Sequence, residues 1–437
     1  MNFNYVLGVV LLLNFCMQGI FAQQQVISTL DQVIQTTIAN NFGIQIAEKN
    51  KLVASNNASR AFVGYNPTVN AAAGGNFSLG GSTQKFGNGN ENVVTNAPTY
   101  GGNANVTANY MLYDETRALS LDQLRENLNL MDLQLRQTIE TNVLQAAALY
   151  YQIAKLEANA SVLKETIEVS NKRLERVTFQ YDYGQGLALD VLNAQVDVQR
   201  DSINYFNALQ LLENAERDLN VIMGIDIETS LVVDTSVTYA SMVLPSLETA
   251  AQDQNINLLV LEKNQDITNY DLELIEAEKK PTVAATGAYN FNFSDNPPGA
   301  FITFSNNRGL NLGVTATMPL YDGGLRKIRT QNTQINLQTL QIQREQVAQQ
   351  VHRDLVNAWT DYENALFILR SEGISLSTSE KNFDRTVEQF NLGQVSSVEF
   401  RQAQLNLLNA TTSYINAKYD AKIIELELKQ IAGLLLQ

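Results

Sequence analysis

The chain has 437 residues, 45% of them hydrophobic, and a formal net charge of −15 at pH 7. The apolar content predicts a folded protein, and the length allows two or three ordinary domains. The acidity argues against nucleic acid as a partner, and it is compatible with cationic solutes or basic protein surfaces.

Residues 1–22 carry no charged side chain and contain a compact apolar stretch at 6–13. This stretch is too short to span a bilayer, and the segment ends in Gly-Ile-Phe-Ala, which fits a signal-peptidase site. We therefore expect a signal peptide over 1–22 and an exported chain. Cys16, the only cysteine, lies inside this segment. The bulky Phe15 before it argues against lipid attachment.

The sequence reads as two copies of one module. Phe-Gln-Tyr-Asp-Tyr-Gly-Gln around Gly184 recurs 209 positions later as Glu-Gln-Phe-Asn-Leu-Gly-Gln around Gly393. Three further matches occur in the same chain order in both halves: Pro67-Thr68-Val69 with Pro281-Thr282-Val283, Leu112-Tyr113-Asp114 with Leu320-Tyr321-Asp322, and Ala194-Gln195 with Ala403-Gln404. A unit of half the chain is too long for a solenoid repeat. We divide the exported chain into a first repeat (23–225), an equatorial linker (226–246) and a second repeat (247–437).

Each repeat contains two segments in which apolar and polar residues alternate, at about 68–79, 103–113, 282–294 and 311–321. Their length and dyad pattern are typical of transmembrane β-strands, although an ordinary half-buried sheet gives the same alternation. The uncharged small and polar residues on one face, with aromatic residues at the ends, favour the barrel. The Gly-, Asn- and Ser-rich segments 80–102 and 295–309 are expected to be surface loops.

The remaining sequence has helical periodicity. The first half has one long segment, 115–181, and two shorter ones, 30–64 and 188–224. The second half has one long segment, 323–391, and two shorter ones, 247–279 and 397–433. At 1.5 Å per residue the long helix would measure about 100 Å. The two shorter segments match that length together, so we expect them to lie end to end beside the long helix, with non-helical structure in the linker.

Four strands cannot close a barrel, because transmembrane barrels have at least about eight. Open strand edges cannot lie in lipid, so the chain must associate. Two copies would give a barrel filled by side chains, whereas three give twelve strands and a lumen. The predicted fold class is a mixed α/β membrane protein: an internally duplicated subunit of a trimeric, 12-stranded transmembrane β-barrel, continued by a long α-helical coiled-coil tunnel.

The sequence gives no sign of catalysis. His352 is the only histidine, and no nucleophile, metal-ligand cluster or phosphate-binding loop accompanies it. We expect no enzyme activity, cofactor or metal. Two rival interpretations stay open: a non-conducting outer-membrane barrel, which would need more elaborate exterior loops, and a periplasmic coiled-coil scaffold without a membrane part.

Several segments resemble the TolC-type outer-membrane efflux proteins. Leu320-Tyr321-Asp322-Gly323-Gly324, followed by Arg326, is similar to the signature at which a barrel strand becomes a long helix in that family. The segments around Gly184 and Gly393 resemble the family's two helical hairpin tips. The resemblance implies a homotrimeric exit duct in the outer membrane of a Gram-negative bacterium, in contact with its lipid. The helical part would stand in the periplasm, with an adaptor and an inner-membrane pump of RND or ABC type as partners, for efflux or type I secretion.

The resemblance assigns the hairpin tips to adaptor docking. These residues are Gly184, Gln185, Gly186, Leu187, Gly393, Gln394, Val395 and Ser396. Glycine lets the chain reverse between two helices. Leu187 and Val395 are expected to be exposed apolar residues at this docking end.

The resemblance also points to a lumenal constriction just past the tips. Family members often carry two acidic residues past the second tip, whereas the matching positions here are Glu399 and Gln402. Asp190 takes the place of Glu399 in the first hairpin. Either carboxylate can instead serve only to stabilise the start of its helix, so both interpretations stay open.

The strand-to-helix junctions form the third group: Tyr113, Asp114, Arg117, Tyr321, Asp322, Gly323, Gly324 and Arg326. Only the second half has the full Asp-Gly-Gly signature, because Glu115 and Thr116 follow Asp114. We expect Arg117 and Arg326 to anchor at the membrane interface rather than to contact cargo.

Overall fold

The computed structural model describes residues 29–298, 300 and 302–436, so the expected signal peptide and Cys16 lie outside the described residues. The elements in chain order are α1 (Leu30–Asn40), α2 (Phe42–Asn57), β1 (Thr68–Lys85), β2 (Glu91–Tyr113), α3 (Glu115–Asp182), α4 (Ala188–Met223), α5 (Leu244–Gln254), α6 (Ile256–Ala277), β3 (Thr282–Asp295), β4 (Phe304–Thr317), α7 (Leu325–Asn391) and α8 (Ser397–Ile431). None of the helices in these ranges is long and apolar enough to cross a membrane.

The described chain forms two compact units. One comprises residues 29–47, 135–256 and 348–436, and the other comprises 48–134 and 257–347. The second unit contains a four-stranded antiparallel sheet in the order β1-β2-β3-β4. Strands β1 and β4 are therefore its two open edges, as expected for four strands that do not close a barrel within one chain.

The strands differ from their predicted bounds. β1 and β2 continue as a ladder to Lys85 and Glu91, so the expected loop at 80–102 shrinks to residues 86–90, with one irregularity between Gly80 and Ser82. The loop at 295–309 shrinks likewise to 296–303. Pairing with a neighbouring strand outweighs the weak intrinsic strand preference of Gly and Asn. β4 stops at Thr317 and not at 321, because Pro319 has no N–H for the ladder.

The first helical segment of each repeat is broken, although the sequence predicts continuous helices over 30–64 and 247–279. The breaks fall at Asn41 and Asn255. Asn41 Nδ2 donates to Ile222 O (2.8 Å), and Asn255 Nδ2 donates to Ile431 O (2.9 Å). Both amides thus satisfy a carbonyl in the last turn of a returning helix, where no intrahelical donor is available. The two repeats make the same contact here.

The linker is non-helical from Gly224 to Val243, as expected, and α5 begins at Leu244. It packs into the main core of the first unit. Leu231 and Val233 join a cluster built on Tyr150, Tyr151 and further side chains of α3 and α8. Asp234 N donates to Tyr150 Oη at 2.7 Å.

Candidate functional site

The two hairpin tips have the same backbone geometry. At the first tip, Gln185 N donates to Gln180 O (2.7 Å) and Gly184 N donates to Tyr181 O (2.9 Å). At the second tip, Gln394 N and Gly393 N make the equivalent bonds. Gly184 has φ 71° and Gly393 has φ 73°, the left-handed conformation that ends a helix in a Schellman turn. The predicted reversals therefore lie where the glycines place them.

Apolar side chains are exposed at both tips. Tyr183 and Leu187 are 79% and 66% exposed at the first tip, and Leu392 is 72% exposed at the second. Val395 differs from expectation, since it packs against the tip cluster formed by Val177, Ala194, Phe390 and Phe400. Leu392, which the sequence reasoning did not select, is the exposed apolar residue of the second tip.

Glu399 caps the start of α8. Its Oε2 accepts from Ser396 N (2.7 Å) and Ser396 Oγ (2.8 Å), while Glu399 N donates to Ser396 Oγ (3.2 Å). This reciprocal arrangement is a capping box. The hydrogen bonds from Ser396 hold the pKa of the Glu399 carboxyl below its usual range. The carboxylate is thus an exposed anion that also stabilises its own helix.

The other two constriction candidates are placed differently. Gln402 Nε2 donates to Asn406 Oδ1 at 2.9 Å along α8. Asp190 lies in the first turn of α4, whose N-cap, Leu187, has no side-chain cap hydrogen bond. Within the described residues neither side chain hydrogen-bonds to Glu399, so the structure of one chain does not bring the three together.

At the first junction, Arg117 ties the start of α3 to the chain before β1. Its Nη1 donates to Gly64 O, and its Nε lies 3.7 Å from Asp114 Oδ2. Asp114 also accepts from Thr116 N at 3.0 Å. Only Asp114 separates β2 from α3, so this junction has no need of the glycine pair.

The second junction repeats that tie with a longer connection. Arg326 Nη1 donates to Glu278 O (3.3 Å), while Asp322 Oδ2 accepts from Arg326 N (2.9 Å) and Nε (2.7 Å). These bonds, the one from the Arg326 backbone foremost, lower the pKa of the Asp322 carboxyl. Gly323 (φ 71°) and Gly324 (φ 88°) bend the connection into α7. Both junction arginines therefore bind the protein's own backbone, and their role as membrane-interface anchors stays a prediction.

Two tyrosines of the junctions lie apart from these ties. Tyr113 Oη donates to Glu115 Oε2 (3.0 Å), and Lys280 Nζ donates to Glu115 Oε1 (2.8 Å). Lys280 and then Tyr113 lower the pKa of the Glu115 carboxyl by these hydrogen bonds. Tyr321 is almost fully exposed.

Sequence reasoning missed a buried ionic cluster that joins the hairpin α3–α4 to α8. Asp201 Oδ2 accepts from Ser170 Oγ (2.6 Å) and Arg401 Nη1 (2.7 Å), and its Oδ1 accepts from Arg401 Nη2 (2.7 Å). Gln404 Nε2 donates to Thr166 O (3.0 Å) beside this pair. Ionic side chains at positions where the helical seam should be apolar were the only available signal.

The described residues contain no group of three or more side chains that could hold a metal ion. His352 is exposed, and its Nδ1 lies 3.8 Å from Glu248 Oε1. The polar and apolar features described above serve to join helices, reverse the chain and present surfaces.

Comparison with known proteins identifies the family. Residues 33–225 and 247–434 match the outer membrane efflux protein family, one segment in each repeat. TolC of Vibrio cholerae is 24% identical over 336 residues, covering 76% of this chain and 76% of TolC. Among solved structures, the outer membrane channel CmeC of Campylobacter jejuni superposes with a TM-score of 0.75 at 14% identity, covering 93% of this chain and 86% of CmeC. The outer membrane protein VceC of Vibrio cholerae gives 0.71 at 14% identity, covering 92% and 96%.

These findings confirm the predicted fold class, in which four strands per chain contribute to a trimeric barrel that a helical tunnel continues into the periplasm. The family consists of transport ducts and is not a family of enzymes. Its members assemble as trimers and work with tripartite efflux partners. The chain belongs to the outer membrane efflux protein family and is an outer-membrane exit duct for an efflux system.

Proposed function

We propose that the two hairpin tips are the end of the duct that docks the periplasmic adaptor. The observation that supports this is the exposure of Tyr183, Leu187 and Leu392 on turns with fixed backbone geometry. Exposed apolar side chains grouped at one site are typical of a protein-binding surface. The adaptor in turn connects the duct to an inner-membrane pump of RND or ABC type, for efflux or type I secretion. The pump selects the cargo.

Charge placed on the tips tests this proposal. Leu187→Asp with Leu392→Asp should abolish export in cells that contain the cognate adaptor and pump, because a docked carboxylate would be desolvated without a partner. The trimer should still reach the outer membrane. Ile227→Asp is the matched control, since Ile227 is an exposed apolar residue of the linker. Normal export by the tip variants would place docking elsewhere on the chain.

We also propose that Glu399 contributes to a lumenal constriction. Its carboxylate is exposed in the first turn of α8, one to two turns past the second tip. Three symmetry copies near the tunnel axis would repel one another and attract cations. Gln402, nearly one turn further on, would add polarity without charge. Asp190, in the first hairpin, would lie further from the axis.

The capping box provides a control that separates the two roles of Glu399. Glu399→Gln should change single-channel conductance in planar bilayers and weaken block by divalent cations, and Asp190→Asn should do so less. Ser396→Ala removes the capping hydroxyl but keeps the carboxylate. It should leave cation block intact. If Ser396→Ala and Glu399→Gln change the conductance alike, the effect comes from the helix start and the constriction is ruled out.

A further inference from the structure

One face of α4 is uncovered in the single chain. The apolar side chains along it are exposed: Leu189, Leu192, Val196, Ile203 and Phe206. Their spacing of three, four and seven residues is that of a coiled-coil seam. Beyond Val398, which is itself 66% exposed, the equivalent face of α8, 209 positions later, is at least partly covered within the chain, where Arg401 and Ile415 are buried among residues of α3. A seam that one repeat covers and the other leaves open needs a partner helix.

The internal duplication indicates which helix provides the cover. The long helices α3 and α7 are equivalent, and so are the returning helices α4 and α8. Because α8 packs on α3 within the chain, the same repeat relation places α4 against an α7. Among the described residues no hydrogen bond or ion pair joins α4 to the α7 of its own chain, and the two helices share apolar packing only at the tip, where Ala194 and Phe390 belong to one cluster. A second copy of the chain, which the trimer supplies, can bring its α7 to this face.

The contacts of Arg176 show whether the side chains of the two repeats match in the way that this packing of α4 against an α7 requires. Arg176 Nη1 donates to Asn391 Oδ1 (3.0 Å) and its Nη2 donates to Asn391 O (2.8 Å). Its guanidinium also lies over the Phe390 ring, 5.0 Å from the centroid. This contact therefore joins α3 to the end of α7 at the tip.

The residues equivalent to these three keep the same chemistry. A shift of 209 positions takes Arg176 to Arg385, Phe390 to Tyr181 and Asn391 to Asp182. The result is again a guanidinium, an aromatic ring and a side-chain oxygen, now charged. Arg385 and Asp182 are exposed, and neither side chain has a hydrogen-bond or ion-pair partner within 29–298 and 302–436. The second copy of this contact is thus not formed within the described chain, where Arg385 lacks a carboxylate partner and Asp182 lacks a guanidinium partner.

A second contact repeats the pattern. Gln404 Nε2 donates to Ser170 Oγ at 2.9 Å, and the equivalent residues are Gln195 and Ser379, again an amide and a hydroxyl. In the described part of the chain neither of these side chains has a hydrogen-bond partner. The ion pair of Lys155 with Asp420 has no such counterpart, because Asn364 and Leu211 occupy the equivalent positions. The polar matching is therefore partial and lies near the tips, where the pair of Arg401 with Asp201 also has no polar counterpart because Leu192 and Ala410 occupy the equivalent positions.

Further from the tips the match is apolar. Ala158 and Ile415 belong to one core cluster within the chain. Their equivalents are Phe367 and Phe206, two large aromatic side chains that are both exposed. Contact between them would bury an apolar surface that the single chain leaves in water.

We infer that α7 of one copy packs against the hairpin α3–α4 of the next, where Arg385 binds the carboxylate of Asp182 and the ring of Tyr181. A guanidinium held by both a carboxylate and an aromatic face makes a charge-assisted hydrogen bond and a cation–π contact. The two contacting surfaces are different parts of the chain. Such a head-to-tail interface closes into a ring, as three copies of a duct require.

Chemical cross-linking between two tagged forms tests this interface. One form carries Asp182→Cys and the other Arg385→Cys, both with Cys16→Ala so that no other thiol is present. They are co-expressed, and a short bis-maleimide is added to the membranes. We expect a covalent species that contains both tags, and no such species when either form is expressed alone.

The equivalent pair of residues within one chain is the control for the length of the cross-linker and the geometry of the two thiols. Arg176→Cys with Asn391→Cys should cross-link inside one chain and leave its size under denaturing conditions unchanged. If the doubly tagged product is missing from membranes in which native electrophoresis shows an intact trimer, the proposed interface is wrong. The charge swap Arg385→Asp with Asp182→Arg should restore the heat resistance of the trimer that Arg385→Asp lowers. Equal or greater loss in the swap would likewise overturn the pairing.

Discussion

The buried pair of Arg401 and Asp201 allows the sharpest prediction about stability. Asp201 is 2% exposed, and Arg401 supplies two of the three hydrogen bonds that its carboxylate accepts. In Arg401→Met the side chain keeps much of its volume, and Asp201 keeps only Ser170 Oγ as a donor. Removing one partner of a buried ion pair costs about 3–5 kcal/mol, because the remaining charge is desolvated without compensation.

The exposed pair of Arg353 and Asp354 is the control. Its two side chains are 64% and 46% exposed, so Arg353→Met should cost at most about 1 kcal/mol. The assay is guanidinium unfolding of the detergent-solubilised protein, followed by helical circular dichroism. Arg401→Met with Asp201→Leu should recover much of the loss, since a buried pair replaced by apolar side chains is often close to neutral. Equal effects of Arg401→Met and Arg353→Met would refute the claim that the pair holds the hairpin to α8.

Two further predictions concern the ends of α8 and the core. Gly433→Ala and Gly393→Ala both place a side chain at positive φ, which costs about 1–3 kcal/mol. Gly433→Ala should cost more, because its Cβ would lie 2.6 Å from Gln254 O, whereas a Cβ at Gly393 would meet open space. Unfolding midpoints that rank the two variants the other way would contradict this. Burial raises the pKa of Tyr362 to about 12 from the usual 10.0. Its neutral form therefore adds stability that is fully present below pH 10 and is lost as the pH rises through about 12. Tyr362→Phe should lower stability at neutral pH by about 1 kcal/mol, for the lost bond to Ala240 O (2.9 Å). It should also make the alkaline decline shallower without abolishing it, as unfolding midpoints across pH 9–12 will show, because burial raises the pKa of Tyr150, Tyr151 and Tyr419 as well.

The sequence was sufficient for the architecture because the architecture has strong periodic signals. Strand alternation located all four strands, and the repeat around Gly184 and Gly393 located both reversals. The breaks at Asn41 and Asn255 were not foreseen, since Asn inside a helical pattern is ordinary until its distant carbonyl partner is known. Strand ends were wrong where pairing with a neighbour overrides the preference of polar residues.

The candidate sites were less predictable, because they depend on which side chains meet. From residue types alone, capping and gating at Glu399 were equally supported, and only the structure shows its bonds to Ser396. The junction arginines were expected to face the membrane surface, yet each binds a backbone carbonyl some fifty residues away in the chain. The pair of Arg401 and Asp201 lies 200 positions apart. No local pattern encodes such a contact.

Three copies of this chain form one conducting duct. Single-channel recording of the purified trimer in planar bilayers tests it most directly. We expect discrete current steps of uniform size, whose block by divalent cations weakens in Glu399→Gln. A folded trimer that inserts into the bilayer and passes no current at any applied voltage would contradict it.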